Sequence, residues 1–298
     1  MIKEIIILFF ILLNTVAHAD NILKVGTYDS FAAEWGPGPD IEDGFEKICN
    51  CDLQFIATSQ AGSLSSDIFT NGKDVILGVE HNDFDISYND DLWTYYDYGY
   101  FAFIYDSSKL DNPPKSMIDL VNRNDLKIVV QDPRTSPVGM GLLRWMKSIF
   151  ENEYQSNMKE LNKKIITYTP GWTESYGMFL NGNADIVLSY STSPYYHQEY
   201  ENEIKYQAII FEEGHLPTKE IVYVRNDSPN KELGQQFINF LLKKQVQEII
   251  AQKNIMYPVN EEAVPERMKS LVEPVAINYV GSLSAGELVE EWLEIVTK

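Results

Sequence analysis

Short apolar runs alternate along this chain with segments of helical period, and that alternation restricts the fold more than any other feature. Ile22 to Val25, the alternating Leu53, Phe55 and Ala57, Asp74 to Gly78, Ile128 to Val130, Ile165 to Tyr168, Ile186 to Leu188 and Glu220 to Arg225 each read as strands. Between them, Ile41, Phe45 and Ile48, then Leu142, Leu143, Trp145, Met146 and Ile149, then Leu233, Phe237, Phe240 and Leu241 recur at helical spacing. Strands alternating with helices predict an α/β fold. A long strand from Asp97 to Tyr105 and a return strand from Glu220 to Arg225 are the candidate crossings between two lobes. The acidic, aromatic segment from His81 to Tyr96 has no clear period and reads as a surface loop. A tail helix is predicted from Ser284 to Val296, with Ser284 and Glu287 at the spacing of a capping box.

The stretch from Ile165 to Tyr196 concentrates the candidate site. A strand turns at Pro170-Gly171, presents Trp172 and continues into a helix carrying Tyr176 and Phe179. A second strand runs into Ser189-Tyr190-Ser191-Thr192-Ser193-Pro194-Tyr195-Tyr196. Both strand-end loops display rings and hydroxyls with almost no charge. Ligands of open α/β sheets sit at the carboxyl ends of strands, and flat rings suit a flat, partly apolar or cationic ligand. Tyr176 and Phe179, on a helix face, read as core, whereas Trp172 and Tyr190 read as site. Ser136 with Pro137 opens the helix that follows Ile128 to Val130. Such a capped N-terminus accepts an anion, although an ordinary cap explains the same residues.

The amino terminus bounds the compartment. Lys3, the apolar run Ile5 to Leu13 and Ala17-His18-Ala19 have the layout of a secretory signal peptide, with cleavage expected after Ala19. The run is too short to span a bilayer. Export permits a disulfide between Cys49 and Cys51, and two ligands alone do not complete a metal site. A formal net charge of −20 argues against nucleic acid or an anionic membrane as partner. No enzyme pattern stands out, because His81, His197 and His215 lack a serine-nucleophile motif. Tyr195-Tyr196-His197 is the best candidate for a metal, through paired tyrosinates, but lacks the obvious carboxylate and second-histidine partners of such a site.

Several words spread over the chain resemble the thiamine-binding, solute-binding proteins of bacterial ABC transporters. They are YDSFAAEWGPGP (28–39), CNC (49–51), DVILG (74–78), DYGYFAFIYD (97–106), QDPRTSPVGMGLL (131–143), GWTESYGMFL (171–180), DIVLSYSTSP (185–194), EEGH (212–215) and MYPV (256–259). The resemblance implies a two-lobed, type II periplasmic binding-protein fold with the ligand between the lobes. It implies a signal peptide over 1–19, one lobe from 20–104 and 226–298, and the other from 105–225. It implies a periplasmic monomer that carries thiamine or thiamine phosphate, with no further cofactor, to an inner-membrane permease and its ATPase. Matched word by word, Tyr28, Ser136, Trp172, Tyr190, Ser193 and Tyr196 are the implied ligand contacts, with Ser136 at the phosphate end.

Three departures accompany the resemblance. Ile255 stands where the family carries Trp before MYP. Gln60 or a neighbour replaces an acidic contact, and the segment from Gly78 to Asp97 is short. Two other readings share the architecture: a ferric-iron carrier using Tyr195 and Tyr196, and a thiamine-degrading enzyme using Cys49 or Cys51.

Overall fold

The computed structural model describes residues 21–84, 92–279, 281 and 283–297; the expected cleavage site lies outside them. Ten strands among the described residues form one sheet whose path is β2-β1-β3-β9-β4-β7-β5-β6. On one side β1 (Ile22–Tyr28) runs parallel to β2 (Asp52–Thr58) and β3 (Val75–Glu80). On the other, β5 (Ile128–Gln131) runs parallel to β6 (Ile165–Thr169) and β7 (Ile186–Tyr190). The two sides are joined by β4 (Trp93–Asp106) and β9 (Pro217–Val224), which are antiparallel to each other. Two short strands, β8 (Tyr206–Ile209) and β10 (Tyr257–Pro258), pair with β4.

Apolar strands bury themselves only if helices cover them, and they do so twice. Helices α1 (Asp29–Ala32), α2 (Gly38–Cys49) and α3 (Asp67–Thr70) belong to the first side. Next come α4 (Met117–Asn122), α5 (Pro137–Phe150), α6 (Tyr154–Asn162), α7 (Trp172–Leu180) and α8 (Ser193–Tyr200). The chain closes with α9 (Lys231–Leu241), α10 (Lys244–Lys253), α11 (Glu266–Lys269) and α12 (Ala285–Val296). One core joins Val25, Phe45, Val75, Leu77, Val222 and Phe237. The other joins Phe103, Val130, Trp145, Met158, Leu188 and Trp292. Two cores on one sheet, bridged by β4, make two lobes.

Four expectations change. Glu220 to Arg225, expected to cross between lobes at the end of a second lobe over 105–225, instead pairs with β3 and buries Val222 and Val224 in the first core, so the crossing comes earlier in the chain. Trp93 to Tyr96 is not loop but the start of β4, and Tyr96 is fully buried. Its alternation is hidden because the pairing with β9 shifts register between Tyr95 and Asp97. Ser193 to Tyr196 is the first turn of α8 rather than loop, with Pro194 in the position a helix start tolerates. The tail helix leaves the lobe expected for 226–298. Its apolar stripe needs a partner, and Leu288 and Trp292 find one in the second core, against α5 and α6. The Lys147–Glu291 ion pair fastens it there. Its capping box at Ser284 and Glu287 is formed.

The chain therefore passes between lobes three times. Beside β4 and the 210–216 connection into β9, the His215 N–H donates to the Val275 carbonyl at 2.8 Å, and the Ile277 N–H to the His215 carbonyl at 2.9 Å. The His215 ring is buried against Trp145, with the Phe211 N–H on Nε2 at 2.8 Å and the Phe101 carbonyl 2.7 Å from Nδ1. Burial pushes its pKa down to about 4, so the ring stays neutral and holds the crossing together.

Candidate functional site

A cavity of about 890 Å³ lies where the lobes face each other. Its walls come from strand ends, as the sheet topology dictates. Tyr28 ends β1, Tyr190 ends β7, and the β5–α5 and β6–α7 connections bring Ser136 and Trp172. All six residues singled out from the sequence, Tyr28, Ser136, Trp172, Tyr190, Ser193 and Tyr196, line this one cavity.

Each is held by its neighbours. The Ser136 hydroxyl accepts the Val138 N–H at 3.2 Å and starts α5, with Pro137 in the first turn. The Trp172 indole N–H donates to Ser189 Oγ at 2.7 Å, and its ring stacks on Tyr176 at 4.6 Å between centroids. Ser189 Oγ lies 2.8 Å from Ser193 Oγ, so α7, β7 and α8 are tied by one short relay. Behind it the Tyr176 hydroxyl meets His197 Nε2 at 2.9 Å, and His197 Nδ1 meets Glu201 at 2.7 Å. Tyr190 stacks on Phe101. Tyr196 stays 42% exposed and is free to meet a ligand.

Residues of the first turns of α5, α7 and α8 line the wall together, and helix starts favour negative charge. Glu220 of β9 also lines the cavity. Its Oε2 takes the Tyr28 hydroxyl at 2.7 Å, the Tyr96 hydroxyl, and Asn254 Nδ2 at 3.4 Å. Asn254 Nδ2 also donates to Asp97 Oδ2 at 2.7 Å. Burial lifts the Glu220 carboxyl to about 7, against the donors that pull it down. Burial, then repulsion from Glu220, pushes Asp97 well above the usual carboxylate range. The same burial, with these carboxylates nearby, keeps the Tyr28 and Tyr190 hydroxyls protonated. Asp29 and Glu174 add two further carboxylates to the lining, while Lys253 is paired with Asp40. The cavity lining thus combines carboxylates, aromatic rings and helix starts.

Glu220 was missed in the sequence. Its only local signal is a carboxylate inside the otherwise apolar run Glu220-Ile221-Val222-Tyr223-Val224. Gln60 is not in the wall, where Thr58, Ser59 and Ala61 stand instead. Ile255 does line it, with a backbone φ of 59° that β-branched residues rarely adopt.

The two other readings lose their geometry. Tyr195 is buried with Tyr100, Tyr257 and Met268, while Tyr196 faces the cavity, so successive helix positions send the two hydroxyls apart. Cys49 and Cys51 form a disulfide across Asn50, which takes the left-handed conformation at the end of α2. They pack on the first core, and neither is in the cavity lining.

Comparison with known proteins agrees with this arrangement. A family model described as bacterial extracellular solute-binding protein matches residues 55–281. The chain is 39% identical over 282 positions to the thiamine-binding periplasmic protein of Escherichia coli K12, covering 86% of each. It is 35% identical over 321 positions to the thiamine-binding periplasmic protein of Brucella melitensis, covering 96% of this chain and 95% of that one. Among solved structures, a periplasmic thiamin binding protein superposes with a TM-score of 0.85 at 36% identity, over 93% of this chain and 96% of that one.

Proposed function

The chain belongs to the bacterial extracellular solute-binding protein family, and from that premise we propose that the cavity carries thiamine or a thiamine phosphate without turning it over. The protein is a periplasmic substrate-binding component of an importer. Delivery is to an inner-membrane permease driven by an ATPase, and the carrier acts as a monomer.

One observation supports the cargo above the rest: one cavity brings together groups suited to each of the ligand's parts. Thiamine has an aminopyrimidine, a permanently cationic thiazolium and a hydroxyethyl arm that bears phosphate in its esters. The lining holds the carboxylates of Asp29, Glu174 and Glu220, the rings of Trp172 and Tyr190, and Ser136 at the start of α5. A cation over an aromatic face gains about 0.5–2 kcal/mol, and anion-directed N–H groups suit a phosphate arm.

The test is mass spectrometry of ligand released on denaturing protein purified without added thiamine, followed by calorimetric titration. Thiamine or its phosphate is expected in the released fraction, with submicromolar affinity on titration. Absence of any thiamine compound, together with no titratable binding, would overturn the assignment.

A further inference from the structure

The two oxygens of Glu220 are treated differently by the protein. Oε2 is met by three donors from separate elements: Tyr28 of β1, Tyr96 of β4 and Asn254 after α10. Oε1 accepts no hydrogen bond among the described residues, although Glu220 lines the cavity. A carboxylate pinned through one oxygen has lost the freedom to turn away, so its other oxygen is a preset acceptor. An ionised carboxylate accepts and does not donate. We propose that Glu220 determines specificity at the ring end of the cavity, its Oε1 accepting an N–H from the exocyclic amino group of the ligand's heteroaromatic ring. The proposal rests on the reading that the cargo is of the thiamine type.

The corollary is discrimination by group polarity. An analogue carrying a carbonyl in place of that amino group sets one acceptor against another. It binds well only when Glu220 carries a proton to donate. Sites built around one hydrogen-bonding polarity reject the opposite one strongly, because buried groups are then left unpaired. The titratable groups around Glu220 are Asp97 and Tyr96 of β4, Glu80 of β3, Tyr28 of β1 and Tyr190 of β7. The nearby cations are engaged elsewhere: Arg144 and His81 pair with Glu80, Lys219 lies over the Tyr95 ring, and Lys253 pairs with Asp40. Asp97 is fully buried behind Glu220 and is not part of the cavity lining, so Glu220 is the member of this carboxylate pair that a ligand can meet.

The experiment is calorimetric titration at pH 6 and pH 8 with thiamine and with the analogue whose pyrimidine amino group is replaced by a carbonyl. Native protein and Glu220→Gln are compared, with thermal melting as a check on folding. Native protein is expected to prefer the amino ligand by about thirtyfold or more at pH 8, and by clearly less at pH 6. Glu220→Gln is expected to bring the preference to within about threefold at both pH values, since an amide offers both a donor and an acceptor. A purely structural role for Glu220 lowers both affinities together and leaves their ratio unchanged, which would overturn the proposal. Should the variant not fold, native protein alone decides, because a preference that does not change between pH 6 and pH 8 is the same refutation. Failure of native protein to bind thiamine at all refutes the cargo assignment instead, and this proposal with it.

Discussion

The Gly62 N–H donates to the Thr135 carbonyl at 3.0 Å, joining the loop after β2 to the loop before α5 beside the cavity. On another side the Tyr200 hydroxyl donates to the Gln252 carbonyl at 3.0 Å, joining α8 to α10. Both bonds run between lobes, so contacts the protein makes with itself hold the two walls of the cavity together. Tyr200, which also lines the cavity, keeps its ring in Tyr200→Phe and loses only this bond. A partly exposed hydrogen bond contributes about 0.5–1 kcal/mol. The expected result is a two- to fivefold faster release of thiamine in stopped-flow fluorescence. Unchanged release would mean that the Tyr200 contact does not hold the closed form.

Trp172 presents one face to the cavity while Tyr176 backs the other. Trp172→Ala removes apolar area and the π-face together and is expected to weaken thiamine at least roughly tenfold, about 1.4 kcal/mol. Trp172→Phe keeps a ring but loses the bond to Ser189, and should fall between the two. Calorimetric titration of both variants checks the order, and parental affinity in the alanine variant would place the ring wall elsewhere.

Ser136 already spends its hydroxyl on the Val138 N–H. Ser136→Ala should therefore cost about 1 kcal/mol of stability through the lost cap, visible in thermal melting. It should also weaken thiamine phosphate by about 1 kcal/mol or more, and thiamine by less. Equal losses for the two ligands would remove the phosphate from this end of the cavity.

Glu220 also predicts how empty protein responds to pH. Its carboxyl is raised by burial to about 7, above the unfolded value near 4.5. Its stabilising share is thus complete below about pH 4.5 and is lost as pH rises through 7. His215 works in the opposite sense below pH 6.5, its ring being held down at about 4. The difference between native protein and Glu220→Gln cancels the histidine. That difference should move in favour of the variant by up to about 3 kcal/mol between pH 4.5 and pH 7, then level off. Denaturant titrations at four pH values measure it, and a constant difference would show that Glu220 carries the same charge in both states.

What the sequence revealed and what it hid follow the range of the interactions concerned. Strands such as Val75 to Leu77 and Ile186 to Leu188 are buried on both faces, so a short window of residues suffices to see them. The six cavity residues sit beside turn residues at strand ends, where local chemistry and the family resemblance coincide. Trp93 to Tyr96 was obscured by the register shift at Tyr95, and α8 by serines and a proline that also spell a turn. Glu220 was hidden for another reason. Its partners Tyr28, Tyr96 and Asn254 lie 192, 124 and 34 residues away, and nothing within reach of a local window brings them together. The lobe that takes α12 was hidden likewise, since a stripe of Leu288 and Trp292 shows that a helix needs a partner but not which one.

The three crossings have a mechanical consequence. A single linker lets two bodies swivel in any direction. Three segments side by side, laced together through His215, resist torsion and sliding and leave one compliant rotation, in the manner of a door on several hinge pins. Ligand contacts made on either wall are then converted into one scalar, the angle of the door. A docking partner that touches both lobes can gauge whether the carrier is loaded by that angle alone, without reaching the cargo.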